Sequence, residues 1–209
     1  MAQKYISNKT LIIRIVLSVL CTSVMILFIS TEYLKKTAVN NLASDDAKKT
    51  AKLIFETMNT RMQEGWTKED LNQIIERLEI VRDGMQIASY RSPQVEELFG
   101  EIKDDKKISD SDPLIIKAMN GEEVFQINDE TGEVRFLYPM KTTTECNQCH
   151  INAVEGSING VLDVRFPQSE IKIPLDSVFM YIIIFFVIFL LVIAYLYFYI
   201  VNKKMVQPV

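Results

Sequence analysis

Two membrane-length apolar runs bracket this 209-residue chain and constrain what everything between them can do. Residues 11–30 carry a single charge, Arg14, close to the start of the run. Residues 178–201 carry none and are built almost wholly of Ile, Phe, Leu, Val and Tyr. A hydrocarbon core about 30 Å thick is crossed by about 20 apolar helical residues. Lipid offers no partner for backbone N–H and C=O groups, so a run of this kind must be helical. Both runs are therefore predicted to be transmembrane helices, with the Arg14 side chain snorkelling towards the headgroups.

The charges around the runs set the orientation. Lys4, Lys9 and Arg14 precede or open the first run, Lys203 and Lys204 follow the second, and neither flank holds an acidic residue. Of 23 Lys and Arg residues these five lie outside the middle segment, leaving 18 there against all 27 Asp and Glu, a net charge of −9. Basic residues stay on the cytoplasmic side. The expected arrangement is a cytoplasmic N-terminus (1–10), a first span (11–30), an external domain (31–176), a second span (177–201) and a cytoplasmic end (202–209). A cleaved signal peptide is the competing reading of the first run, but Thr31-Glu32-Tyr33 offers no small-x-small cleavage site. The overall charge of −4 and the absence of a basic patch exclude nucleic acid as an expected partner.

Within the external segment stands Cys146-Asn147-Gln148-Cys149-His150, and His150 is the only histidine in the chain. C-x-x-C-H is the attachment sequence of c-type haem. Its two thiols form thioethers to the porphyrin vinyl groups, and the adjacent histidine ligates the iron. A disulfide, half a zinc site and a thioredoxin-like pair compete with this reading. Zinc needs four N or S ligands, and the third cysteine, Cys21, lies in the first apolar run. A thioredoxin-type pair sits in a βαβ unit, whereas Lys141-Thr142-Thr143-Thr144-Glu145 reads as a polar loop. Haem is attached to this motif on the outer side of bacterial membranes, which agrees with the charge-derived orientation and suits an oxidising compartment. The expected location is the bacterial inner membrane, with residues 31–176 periplasmic and one covalent haem c, containing iron, in that domain.

The external segment reads as one mixed domain. Residues 37–62 lack Pro and Gly, and Val39, Leu42, Ala51, Phe55, Met58 and Met62 recur at helical spacing. A long helix is predicted there, broken by Gly65-Trp66, followed by a second helix over 67–80 with Thr67 as N-cap. Residues 85–90 read as a strand, 93–99 as a helix closed by Gly100, and 112–119 as a helix with Asp112 capping and Pro113 in its first turn. Residues 123–128 and 133–138 flank Asp129-Glu130-Thr131-Gly132 as a hairpin. Residues 161–166 form the last strand, and 167–176 lead back to the membrane.

This order resembles the membrane-anchored c-type-haem sensor domains, PAS-like in fold, of bacterial chemoreceptors, sensor kinases and cyclic-dinucleotide enzymes. The likeness covers residues 55–167. It is carried by Met62-x-x-Gly65, Arg91-Ser92-x-x-Val95-x-x-x-Phe99-Gly100, the 112–121 helix, the haem motif and Gly160-Val161-Leu162-x-Val164. Thr144-Glu145 stand where such domains often have glycine before the first haem cysteine. The resemblance implies an α/β domain of the α+β kind, PAS- or Cache-like, with a long N-terminal helix and a transmembrane helix on either side. It also implies a homodimeric signal-transduction sensor of redox state or a diatomic gas. Met205-Val206-Gln207-Pro208-Val209 looks like the start of a HAMP-type linker, so an output module is expected beyond it.

With no second histidine, the sixth iron position within the chain is expected to hold a methionine, lysine, tyrosine, water or nothing. The resemblance implies Met62, with Met58 and Met140 in reserve, while methionine in general fills gaps in cores. Arg91 is implied as a partner of the haem propionates; Arg135, Lys141 and Arg165 are further cations near predicted strands, and Trp66 and Tyr138 are aromatic residues able to pack on a porphyrin. The site expected from the sequence is thus Cys146, Cys149 and His150 with Met62 and Arg91, the metal being held by His150 and Met62. The alternative function is a membrane-anchored monohaem cytochrome exchanging electrons with a periplasmic redox partner. No catalytic constellation is present, so no enzyme activity is expected in these residues.

Overall fold

The computed structural model describes residues 8–65, 67–148, 150–152 and 154–206; Trp66 and Cys149 fall outside them. The elements run α1 (Asn8–Gln63), α2 (Lys68–Val81), β1 (Gln86–Arg91), α3 (Pro93–Phe99), α4 (Lys103–Ser111), α5 (Pro113–Met119), β2 (Val124–Asn128), β3 (Glu133–Lys141), a 3-10 turn (Glu145–Gln148), β4 (Ile158–Pro167) and α6 (Ser169–Val206). The chain divides into two compact units, Met1–Val39 with Lys172–Val209, and Asn40–Ile171.

The first unit holds the two apolar helical stretches. By length and composition α1 and α6 each contain a segment fit to cross a membrane, and the side chains of those segments lie on the protein surface. Lys35 pairs with Asp176 at 2.8 Å, outside both apolar runs. The hydrogen bond that Lys35 donates to Asp176 and the carboxylate's charge hold the Lys35 ammonium above its ordinary pKa, against the opposing effect of burial. The helix α6 begins at Ser169, well before the expected start of the second span, and takes Pro174 into its interior. Proline lacks one backbone donor, which is why the approach to the span reads as irregular in the sequence although it is helical.

The second unit is an antiparallel sheet in the order β1-β4-β3-β2 with helices on both faces. Side chains alternate across a strand, and the two sets here meet different partners. Val134, Phe136 and Met140 of β3, with Leu162, Val164 and Phe166 of β4, join Ala43, Ala47, Ala51, Ile54, Phe55 and Met58 of α1 in the main core. The alanines recur every four residues, one above another on the helix face, and their small side chains let α1 lie close to the sheet. Leu137, Val161 and Tyr90 point to the other face, under Ile115 and Ala118 of α5. Covered on both sides, β4 is buried over most of its length, as central strands are.

On the α5 face the sheet also buries charge. Asp163 is 1% exposed. Arg135 reaches it through Nε at 3.0 Å and Nη2 at 2.7 Å, and Arg165 through Nη2 at 2.8 Å. Arg135 also pairs at 2.7 Å with Asp112, whose carboxylate caps α5 by accepting from Leu114 N–H. Burial opposes the charge on Arg135, but the two carboxylates hold its pKa above the ordinary value.

Local signals account for the element ends. Thr67 and Asp70 form a reciprocal capping box on α2. The β2–β3 turn is closed by Asn128, whose side chain accepts from Glu130 N–H at 3.0 Å, with Gly132 at φ 66°. The helix α4 has no counterpart among the sequence expectations, because Lys103–Ser111 is strongly polar and offers only Ile108 as a large apolar residue. It is tied to α3 by Lys106–Glu96 at 2.8 Å.

Candidate functional site

The haem motif sits in the loop that joins β3 to β4. The loop is closed at its base by backbone bonds, Thr142 N–H to Ser157 O at 2.8 Å and Gly156 N–H to Thr142 O at 3.0 Å. Thr142 is buried, and its hydroxyl donates to Asn159 Oδ1 at 2.9 Å and lies 3.1 Å from Ser157 Oγ. Asn159 is the residue left over where the β3–β4 register shifts, Met140 pairing with Gly160 and Lys141 with Ile158. Such a bulge inserts an unpaired residue and re-aims the strand end. Gly160 beside it has no room for a side chain: a Cβ would run into the Tyr90 carbonyl and the Met140 methyl group.

From that base the chain turns quickly. Cys146 N–H bonds to Thr143 O at 3.1 Å, the 3-10 turn follows, and His150 N–H returns to Cys146 O at 2.9 Å. Cys146 is a half-buried free thiol. Its Sγ lies 3.4 Å from Thr143 Oγ1 and 4.0 Å from Asn59 Oδ1 on α1, which brings the last turns of α1 to the motif. Cys149, the motif's other thiol, lies outside the described residues.

The His150 ring is half-buried and its Nδ1 is enclosed without a hydrogen-bond partner. Burial disfavours the imidazolium and lowers the pKa, which favours the neutral ring, the form that ligates metals. Phe99, the last residue of α3, meets the ring edge-on at 5.2 Å between centroids and 68° between planes. Asn152 donates to Gln94 O at 3.0 Å and to Glu97 Oε2 at 3.2 Å, fastening the segment after His150 to the same helix. Phe99, Ile151 and Val154 are all solvent-exposed apolar residues close to His150 in sequence or space.

The expected accessory residues fall in different places. Met62 is half-buried at the end of α1, packed against the main core, one helical turn beyond Asn59 and so on the side of α1 that meets Cys146. Met58 and Met140 are 6% and 9% exposed and belong to the core itself. Arg91, the last residue of β1, donates from Nη1 to Phe99 O at 3.2 Å and Gly100 O at 2.7 Å. Arg135 and Arg165 are engaged with Asp163 on the α5 face, Lys141 is exposed at the end of β3, and the Tyr138 ring packs on Phe55 at 5.7 Å. Trp66 lies outside the described residues.

Asn59, Phe99 and Asn152 were not anticipated as site residues. Phe99 had a signal, since it closes the Arg91-to-Gly100 pattern; Asn59 and Asn152 are single polar residues whose role depends on tertiary contact. Among the described residues no group of three or more His, Cys, Asp or Glu side chains could hold a metal ion, so the donor set offers a thiol and an imidazole and no protein cage. Comparison with family models, with curated proteins and with solved structures finds no match.

Proposed function

We propose that this chain is a membrane-anchored sensor whose external domain carries one c-type haem on Cys146, Cys149 and His150. The observation that carries the proposal is His150 itself: the single histidine of the chain, directly after C-x-x-C, half-buried, with burial disfavouring its imidazolium form. The free Cys146 thiol and the exposed apolar side chains beside the ring suit a porphyrin.

When bound, the haem would supply an iron whose redox state responds to redox poise and which a diatomic gas could reach by displacing a protein ligand. The protein's own part is positional. The bonds at Thr142, Gly156 and Ser157 hold the loop, and the return bond from His150 N–H to Cys146 O holds the histidine close to the first thiol. Met62 would be the second protein side chain to hold the iron, with His150. The long helix followed by an antiparallel sheet with helices inserted between β1 and β2 supports the PAS-like reading. The two apolar helices and the acidic segment between them support an inner-membrane sensor with periplasmic residues 31–176; homodimerisation and transmission to a cytoplasmic output module are part of the proposal.

A reduced-minus-oxidised visible spectrum of the purified full chain, followed by carbon monoxide titration of the reduced form, tests the proposal. A c-type α-band with a carbon monoxide-sensitive fraction is expected; a spectrum without haem bands contradicts it. Haem bands wholly insensitive to carbon monoxide and nitric oxide, with rapid electron exchange with a soluble cytochrome, would favour the electron-transfer cytochrome.

A further inference from the structure

We propose that Arg91 is a positioning residue for His150, acting through Phe99, and not a partner of the haem carboxylates. The bearing on iron rests on the haem reading above; the positioning itself does not. The helix α3 is only seven residues long and stops at Gly100, φ 80°. The last carbonyls of a helix have no intrahelical donors. Arg91 supplies them, binding the Phe99 and Gly100 carbonyls at 3.2 and 2.7 Å. Its own backbone is held in the sheet, in register with Gly160 of β4. A guanidinium is planar and presents its donors in a rigid fork, so this contact transfers the fixed position of the sheet edge to the end of α3.

That end carries the ring touching His150. Phe99 is 52% exposed, so little other packing restrains it and its direction is set chiefly by its backbone. Histidines that ligate metals are ordinarily oriented by a bond from the second ring nitrogen to a carbonyl or carboxylate. His150 has no such bond among the described residues. Its orientation must come from packing, and the edge-on contact at 5.2 Å supplies it, an arrangement aromatic pairs favour. The Asn152 contacts to Gln94 and Glu97 tie the following segment to the same helix, so α3 acts as the bracket for the histidine.

The first test uses the full chain in detergent micelles, produced without haem maturation and with ring-labelled histidine. The single histidine gives one unambiguous set of ring resonances. In the parent protein these should be displaced by the Phe99 ring current. Phe99→Leu and Arg91→Ala should each abolish the displacement, and Arg91→Lys, which can still donate to the same carbonyls, should restore part of it. A displacement that survives Arg91→Ala overturns the proposal, as does its absence from the parent. The second test uses the haem-loaded chain, with attachment checked on a haem-stained gel. Ferric electron paramagnetic resonance g values should move in Arg91→Ala and in Phe99→Leu, and the double variant should match Phe99→Leu alone, because coupled residues are non-additive. A further shift from Arg91→Ala in the Phe99→Leu background would mean that Arg91 acts on the haem directly and would overturn the proposal. If the parent takes up no haem, the haem reading fails and the resonance test still decides the role of Arg91.

Discussion

Asp163 keeps a carboxylate almost wholly out of water because two guanidiniums reach it. Breaking a buried ion pair by removing one partner costs about 3–5 kcal/mol, so Asp163→Asn is expected to lower stability by about 3 kcal/mol or more, measured by thermal unfolding in detergent. At Asp112, burial pushes the carboxyl pKa up, but Arg135 and the α5 amides outweigh it and leave the pKa below the ordinary value. A carboxyl depressed on folding contributes stability above its unfolded pKa and loses it as pH falls through the folded one. The loss should appear below about pH 4, and Asp112→Asn should flatten the acid limb of a stability–pH curve; an unchanged limb would remove Asp112 from the network. At the haem site, Met62 is the least enclosed of the three candidate methionines, Met58 and Met140 being part of the core. Met62→Ala is expected to leave haem attached, turn the ferrous form high-spin and open it to carbon monoxide. An unchanged low-spin ferrous spectrum would move the role to Met58 or Met140.

At the scale of elements, α1 presents two unlike faces over the second unit. Ala43, Ala47, Ala51 and Ile54 are buried against the sheet, whereas Leu42, Lys49 and Leu53 are exposed. Two-fold pairing is the commonest oligomeric form, and the exposed face is the one available for it. Disulfide trapping of single cysteines over residues 40–55 should therefore peak near Leu42, Lys49 and Leu53 and vanish at the alanines; a flat profile would argue for a monomer. Much of this layer was legible in the sequence, for local reasons. Thr67, Asp112 with Pro113, and the Asp129–Gly132 turn act through neighbouring backbone atoms, and the structure bears out each of them. The helix α4 was not legible, because it is strongly polar with a single large apolar residue, and the early start of α6 was hidden by Pro174. The site divides in the same way. Cys146 and His150 are recognisable by spacing, whereas the Asn59 and Phe99 contacts join residues 87 and 51 positions apart in the chain.

For the molecule as a whole, the acidic segment between two apolar helices and the C-x-x-C-H motif within it are consistent with the proposal of a haem domain held at the outer face of a membrane. The covalent bond to haem is its central claim, and it is tested most directly on a denaturing gel stained for haem. The full chain, produced with the c-type maturation machinery, should give a haem-staining band at its own mass. Cys146→Ala and Cys149→Ala together should abolish that band, and His150→Ala should remove the axial bond seen in the spectrum. No band in the parent protein, or a band that persists in the double cysteine variant, would contradict the account.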